Sequence, residues 1–306
     1  MTDIRSLATL LAVVEYGSIH LAARALFVSH STASRQIRAL EAHFGTTLFD
    51  RSSSGVTPTA QCLAVADFAR RTIAESELLS DSFGDYSREV ETITIVTSTG
   101  LGQTVVADAI NDVMLTTDRV QVSVIDRASL EAMQVLKNRQ ADLCVNFSIS
   151  GHDLAEIPGV RKIDQIEARN FAVLDRNHPL SERSSLFIRD IAEYPIATLP
   201  AGNTSRMRIE QAVRAQGQVF SPVLECTCPI LQIRSAVGTS MIAMMAERTI
   251  PAILDDLGCV AVAIDDPGID SRYIQILAAD PRRESVGLEQ MIEALRTHLR
   301  PRRYPV

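Results

Sequence analysis

The chain has 306 residues and a formal net charge of −7, with 46% hydrophobic and 22% charged side chains. That length accommodates two or three domains, each with its own core, and the composition excludes a disordered chain. The acidic balance also excludes a protein coated in basic charge, so any surface that binds an anion has to be local. Five cysteines (Cys62, Cys144, Cys226, Cys228 and Cys259) are too few and too scattered for a disulfide scaffold, and an odd count fits a reducing cytoplasm, the expected location. No run approaches the roughly 20 apolar residues of a membrane span, so no membrane partner is expected. The early "LATLLAVV" is flanked by Asp3, Arg5 and Glu15, which is not the pattern of a signal peptide.

Taken in chain order, Ile4, Leu7, Leu11 and Val14 recur at spacings of three and four, one apolar helix stripe. Gly17 ends that helix. Ser18 then caps a second, carrying Leu21, Ala22, Ala25 and Leu26. Ser29 caps a third helix with the inward face Ala33, Ile37, Leu40 and Phe44, and Gly45 stands at its left-handed C-cap. "TTLFDRSSSGVTPT" reads as a small hairpin around a Ser/Gly turn. From Thr59 a long helical pattern runs to Phe83. Its apolar side, Leu63, Ala66, Ala69, Ile73 and Leu79, is one that a partner helix could cover.

From Thr92 onward strands alternate with helices. "TITIVTS", "VQVSVID" and "ADLCVNF" are strands, with helices predicted over 101–115 and 129–139. This βαβαβ rhythm implies a parallel sheet. A second unit follows with "NFAVLD", "PIATLP", a helix over 205–216, "VLECT", a helix near 229–238 and "SMIAMMA". The chain closes with "VAVAI", "YIQILAA" and a helix over 284–299. Two α/β units joined by a hinge suggest a clamshell.

On the third helix, Ser31, Thr32, Ser34, Arg35 and Arg38 are expected away from the apolar face, a hydroxyl and guanidinium surface near the helix N-terminus. A capped short helix, a tight turn and a second helix make the helix-turn-helix arrangement, whose second helix enters the major groove of DNA. Arginine pairs bidentately with guanine, and Ser and Thr contact bases or phosphates. Between Arg24 and Arg51 four arginines stand against Glu41 and Asp50, a net of +2. On charge alone, a solvated face of an ordinary three-helix bundle remains an equal alternative, and the turn "LFVS" lacks a glycine.

"GSIHLAARALFVSHSTASRQIRALEAHFGTTLFDRSSSGVTPT" resembles the N-terminal signature of LysR-type transcriptional regulators, in "LAARAL", "VS", "SRQIRALE", "LFDR" and "GVTPT" before a long helix. The likeness is specific over about residues 3–60, and the layout of the rest agrees. It implies an all-α winged helix-turn-helix over 1–58 and a linker helix over 59–87 that makes the protein a dimer. A periplasmic-binding-protein-like α/β region of two subdomains follows over 92–306, the first spanning 92–162 plus 268–300 and the second 163–267. Carried over by position, Ser29, His30, Ser31, Thr32, Ser34, Arg35 and Arg38 fall on the recognition helix, with Arg51 and Ser53 on the wing. His30 stands where the family usually has glutamine, and "TAQC" after Pro58 departs from the family's Thr-Glu-Ala-Gly. The implied partners are double-stranded operator DNA, further copies of the chain as dimer and tetramer, a small-molecule effector, and RNA polymerase as an additional candidate.

"TSTGLGQT" and "PAGNTSRMRI" both place hydroxyls and amides at the start of a helix, where free N–H groups favour an anion, although simple capping explains each segment alone. Because the resemblance implies an effector between the two subdomains, Ser98, Thr99, Arg127, Ser129, Asn203, Thr204, Ser205 and Thr227 are the expected cleft residues. The expected effector is acidic or polar, and the absence of Trp argues against a flat aromatic one. Cys226 and Cys228 in "ECTCP" lack the neighbouring His or Cys of a metal site and read as ordinary strand cysteines. "GLG" lacks the spacing and Lys of a phosphate loop, and no Gly-x-Ser-x-Gly elbow appears. No cofactor, metal or catalytic activity is expected. A ligand-independent DNA binder, or a solute-binding or enzymatic α/β domain carried beside a helical bundle, are the rival readings.

Overall fold

The computed structural model describes residues 3–52, 55–82, 90–148, 159–267, 269, 272–280, 282 and 285–300. They fall into two units, one built from the N-terminal helices and one from the α/β region.

In the first unit, helix α1 (Ile4–Tyr16) starts where Asp3 accepts the Ser6 N–H at 2.6 Å and ends at Gly17, whose φ of 60° is left-handed. Helix α2 (Ile19–Ala25) starts at the Ser18 cap. Four residues later helix α3 (His30–Phe44) starts at Ser29, whose hydroxyl accepts the Thr32 N–H at 3.1 Å. Phe27, in the connecting turn, takes the left-handed φ of 54° that a glycine would supply in a looser sequence. Strands β1 (Phe49–Ser52) and β2 (Gly55–Pro58) form an antiparallel hairpin, the wing. Its base is tied back to α3 by Glu41, which accepts the Leu48 N–H at 3.0 Å. Helix α4 (Ala60–Ser82) follows, with the Thr59 hydroxyl accepting the Cys62 N–H at 3.1 Å.

Leu7, Leu10 and Val13 of α1 pack with Ile37 and Leu40 of α3 and with Cys62, Ala66 and Ala69 of α4. Each of the Leu, Ile and Val side chains among these, buried outright, stabilises the unit by about 1.5–3 kcal/mol. Not every side chain of the expected apolar stripes is covered: Ile4 at 45% and Leu21 at 46% are exposed. Phe44 is 37% exposed, because α3 ends at Gly45 before a further turn could cover it. Leu63 at 51% exposure stays open to a partner helix, whereas Ala66 and Ala69, expected on that same side, are buried with Cys62 and Val65 in the unit's own core.

The α/β unit contains two sheets. Strands β3 (Glu91–Thr97), β4 (Val120–Asp126) and β5 (Leu143–Phe147) run parallel, separated by helices α5 (Thr99–Leu101), α6 (Ala107–Thr116) and α7 (Ser129–Lys137). The helix expected over 101–115 is therefore broken: α5 and α6 flank a π turn at Gly102–Val106. Strand β6 (Val160–Ala168) leads out to the second sheet, whose elements are β7 (Asn170–Asp175), β8 (Ser185–Leu186), α8 (Ile188–Ile191), β9 (Ile196–Thr198), α9 (Thr204–Ala215), β10 (Leu224–Glu225), α10 (Pro229–Ala236), β11 (Ile242–Ala246) and β12 (Cys259–Ile264). Strand β13 (Arg272–Ala279) returns to the first sheet, and helix α11 (Val286–Leu299) closes it.

The strand orders are β4-β3-β5-β13-β6 and β10-β9-β11-β7-β12-β8. Neither sheet is purely parallel as the rhythm implied. β6 and β13 lead out of and back into the first half, and β13 pairs antiparallel with both β5 and β6. In the second sheet β7 is likewise antiparallel to β11 and β12. β6 pairs with β13 along its whole length, so residues 163–168, expected in the second subdomain, belong to the first sheet. Both faces of each sheet are covered, the first by α6 and α11 on one side and α7 on the other.

Candidate functional sites: an arginine-lined helix face and a cavity between two sheets

The N-terminal half of α3 is open to solvent. Ser29, His30, Ser31, Arg35 and Arg38 are exposed and Thr32 is half-buried. The Ser29 hydroxyl lies 2.9 Å from that of Ser31 and 2.8 Å from that of Thr32, so three hydroxyls form one cluster at the helix start. Ser31, Thr32, Arg35 and Arg38 line a shallow recess. Among the described residues neither guanidinium meets a carboxylate. Arg38 is braced instead by its own turn, its Nε donating to the Ser34 carbonyl at 3.3 Å. Free guanidinium groups beside small hydroxyls can meet phosphates and guanine edges together.

One expected member does not belong to this face. Ser34 is buried at 7% exposure, because it follows Ala33 and precedes Ile37 by three residues, which turns it onto the inward stripe. Ser53, and the side chains of Arg51 and Thr204, lie outside the described residues.

In the α/β unit the loops after β3, β4, β9 and β10 converge. The structure brings Ser98, Thr99, Arg127, Ser129, Asn203, Ser205 and Thr227 around one cavity, with about 890 Å³ of space that is partly open to solvent. Each local chain direction explains a placement. Thr99 opens α5, and its hydroxyl donates to the Asp126 carboxylate at the end of β4. Arg127 folds back, its Nη1 donating to the Asp126 carbonyl at 2.7 Å. Ser129 donates to Asn146 Oδ1 at 2.9 Å. Asn203 caps α9 by accepting the Ser205 N–H at 2.9 Å. The Ser98 hydroxyl is buried without a hydrogen-bond partner.

The two halves meet at the cavity rim. Thr104, in the π turn, places its hydroxyl within reach of the carbonyls of Gly100 and Arg248. Gly100 itself packs so closely that a Cβ there would sit 2.7 Å from Thr249 Cγ2. Apolar side chains of Phe147, Ile209, Met244 and Ile264 supply much of the remaining wall.

Several wall residues carry no signal in the sequence. Asp126, in the wall, orients Thr99, and Asn146, buried behind it, orients Ser129. Arg272 is the largest omission. It heads the strand read as "YIQILAA", yet it is only 3% exposed and turns its guanidinium over the Phe147 ring at 4.3 Å. A charge directly before an apolar strand is the one available hint, and it is shared by many solvated strand ends. Among the described residues no helix is long and apolar enough to cross a membrane, and no group of three or more His, Cys, Asp or Glu could hold a metal ion.

Comparison with known proteins agrees with this layout. The family model for "Bacterial regulatory helix-turn-helix protein, lysR family" matches residues 4–63, and that for the "LysR substrate binding domain" matches residues 87–300. The HTH-type transcriptional regulator cbl of Escherichia coli (strain K12) is 26% identical over 232 residues, covering 74% of this chain and 71% of that protein. The HTH-type transcriptional regulator SsuR of Burkholderia cenocepacia is 27% identical over 232 residues, covering 73% of each. In fold, the chain is similar to a full-length OxyR variant from Pseudomonas aeruginosa, with a TM-score of 0.73 at 12% identity, covering 97% of this chain and 95% of that one. It is also similar to full-length CbnR complexed with its target DNA, with a TM-score of 0.62 at 17% identity, covering 97% and 99%. The chain belongs to the LysR family of DNA-binding transcriptional regulators, with a helix-turn-helix at its N-terminus and an α/β effector-binding domain after it.

Proposed function

We propose that this protein reads an operator with the exposed face of α3 and couples that reading to a small molecule held in the cavity between the two sheets. The observation that carries the reading is the convergence of loops from both sheets on one cavity. An occupant that touches both halves favours one angle between them, and a ligand shifts an equilibrium only by such a difference in affinity. Ser29, His30, Ser31, Thr32, Arg35 and Arg38 face the DNA, with Arg51 and Ser53 on the wing. Ser98, Thr99, Ser129, Ser205 and Thr227 hold the effector, with Arg127, Asn203 and Thr204 at its edge.

Two copies pair through α4. Leu63 at 51% and Phe68 at 43% exposure leave apolar side chains of α4 outside its own core. A two-fold dimer reads a pseudo-palindrome whose half-sites lie one helical turn, or a multiple of it, apart. The family implies tetramers as the working form, action in the cytoplasm and RNA polymerase as the partner that converts binding into output. The relatives are named regulators, and the chain is read as a regulator rather than an enzyme.

The test is selection of bound fragments from sheared genomic DNA by the purified full-length protein, with and without added cell metabolites. Enrichment of a dyad-symmetric site, with its occupancy changed by a metabolite fraction, is expected. A protein that retains no fragment at low salt under either condition is not an operator-binding regulator. Enrichment that no metabolite alters would favour a ligand-independent binder.

A further inference from the structure

Arg272 is placed where an unpaired cation is costly. Its side chain is buried, its Nη1 donates to the Ser205 hydroxyl, and its Nε is buried without a hydrogen-bond partner. Among the described residues no carboxylate forms an ion pair with it. Arg208, one turn along α9, also has a buried guanidinium nitrogen, Nη1, without a partner. Burial lowers the Arg272 pKa to about 10, with the nearby Arg208 pushing in the same direction, so the group remains a cation at neutral pH. A buried charge left uncompensated is strongly unfavourable, and proteins pair it or place it where a ligand will.

The rest of the cavity narrows the ligand. Of the charged side chains in its wall, Asp126 already takes the Thr99 hydroxyl, Arg127 is exposed and turned back onto its own chain, and Arg272 is the buried one. The wall charge is then one anion against two cations. The wall also carries the apolar side chains of Ile209, Met244 and Ile264. We propose that Arg272 makes this cavity a carboxylate site, taking the single carboxylate of a small ligand whose apolar body lies against Ile209, Met244 and Ile264. This deepens, and rests on, the reading of the cavity as the effector site. The carboxylate pairs with the Nε side of the guanidinium, which has no partner in the chain, and Ser98 of the first sheet lines the same cavity. Because Arg272 stands on β13 of the first sheet and its partner Ser205 on α9 of the second half, an anion there engages both halves.

The experiment uses the full-length protein and matched acid–amide pairs as probes: butyrate with butyramide, cyclohexanecarboxylate with cyclohexanecarboxamide, and benzoate with benzamide. Thermal shift and calorimetric titration are run at constant ionic strength, with sodium sulfate as an anion lacking an apolar body. At least one acid is expected to bind and raise the melting temperature while its amide and sulfate do not. Arg272→Gln is expected to weaken that acid by about tenfold or more, the scale for losing one partner of a buried charge pair. Arg272→Lys, which keeps the charge without the fork, should give an intermediate loss and covers the case in which the glutamine variant does not fold. Thr227→Trp, at the exposed rim, should weaken the acid as well, by blocking the cavity mouth.

Other outcomes separate the claims. Acid and amide binding equally, with loss in Thr227→Trp and none in Arg272→Gln, would keep the cavity and overturn the carboxylate assignment. Acid binding that survives both variants would place the ligand elsewhere and overturn both readings. Sulfate binding as tightly as the acids would reject the apolar body. If no acid binds the wild type, the carboxylate assignment fails, while the effector reading still stands or falls on the operator response to metabolites.

Discussion

Asp175 ends β7 with its carboxylate on two backbone donors, the Gly238 N–H at 2.6 Å and the Asn177 N–H at 2.8 Å. Those bonds, Gly238 first, hold its pKa below the ordinary carboxylate range. A depressed folded-state pKa means stability that is present above the unfolded value, about 4, and lost as pH falls through the folded one. Asp175→Asn should therefore melt below the wild type at neutral pH, and the gap should close as the pH is taken well below 4. A gap independent of pH would mean that the turn is held by shape alone. Thiols give a second reading at this scale. Burial pushes the Cys144 thiol up to about 12 and, with Glu41 adding to it, the Cys62 thiol up to about 11; burial raises Cys259 as well. Cys226 and Cys228 are half-exposed. A thiol reagent at mildly alkaline pH should then label Cys226 and Cys228 in the native protein and the other three only after unfolding. Rapid native labelling of Cys62 or Cys144 would contradict the packing described.

At the scale of elements, the segment from Ser98 to Thr116 carries the junction between the halves. A regular helix would not place Thr104 against the Arg248 carbonyl; the π turn does. Gly100 allows Thr249 to close on the backbone at that point. Gly100→Ala should destabilise the α/β unit by about 1–3 kcal/mol, the usual scale of overpacking, read from the denaturant midpoint. No change in the midpoint would mean that the two halves yield at this contact. Much of this architecture was legible in advance, since periodicity and caps such as Ser29 and Gly45 act locally. The π turn was not, because the contact that accompanies it lies 144 residues away in sequence. Nor were the antiparallel β6 and β13, because strand direction depends on where the chain crosses between halves. Ser34 shows the same limit on one helix: its type suited the polar face, and its phase put it inside.

For the whole molecule, one chain joins a helix that presents uncompensated arginines to a cavity that holds another. The first group lies near a helix start among hydroxyls and was legible from type and spacing. Arg272 became visible only when the fold carried β13 back to the first sheet and α9 against it. The central claim is that α3 reads base sequence, and Arg35 tests it most directly. The measurement is the affinity of wild type and Arg35→Ala for the selected dyad site and for random DNA of equal length, over a salt series. A loss of about 1–3 kcal/mol on the site, with little on random DNA, is predicted for a bidentate base contact. An equal loss on both would show that Arg35 touches only phosphate, and the base-reading role of α3 would fall with it.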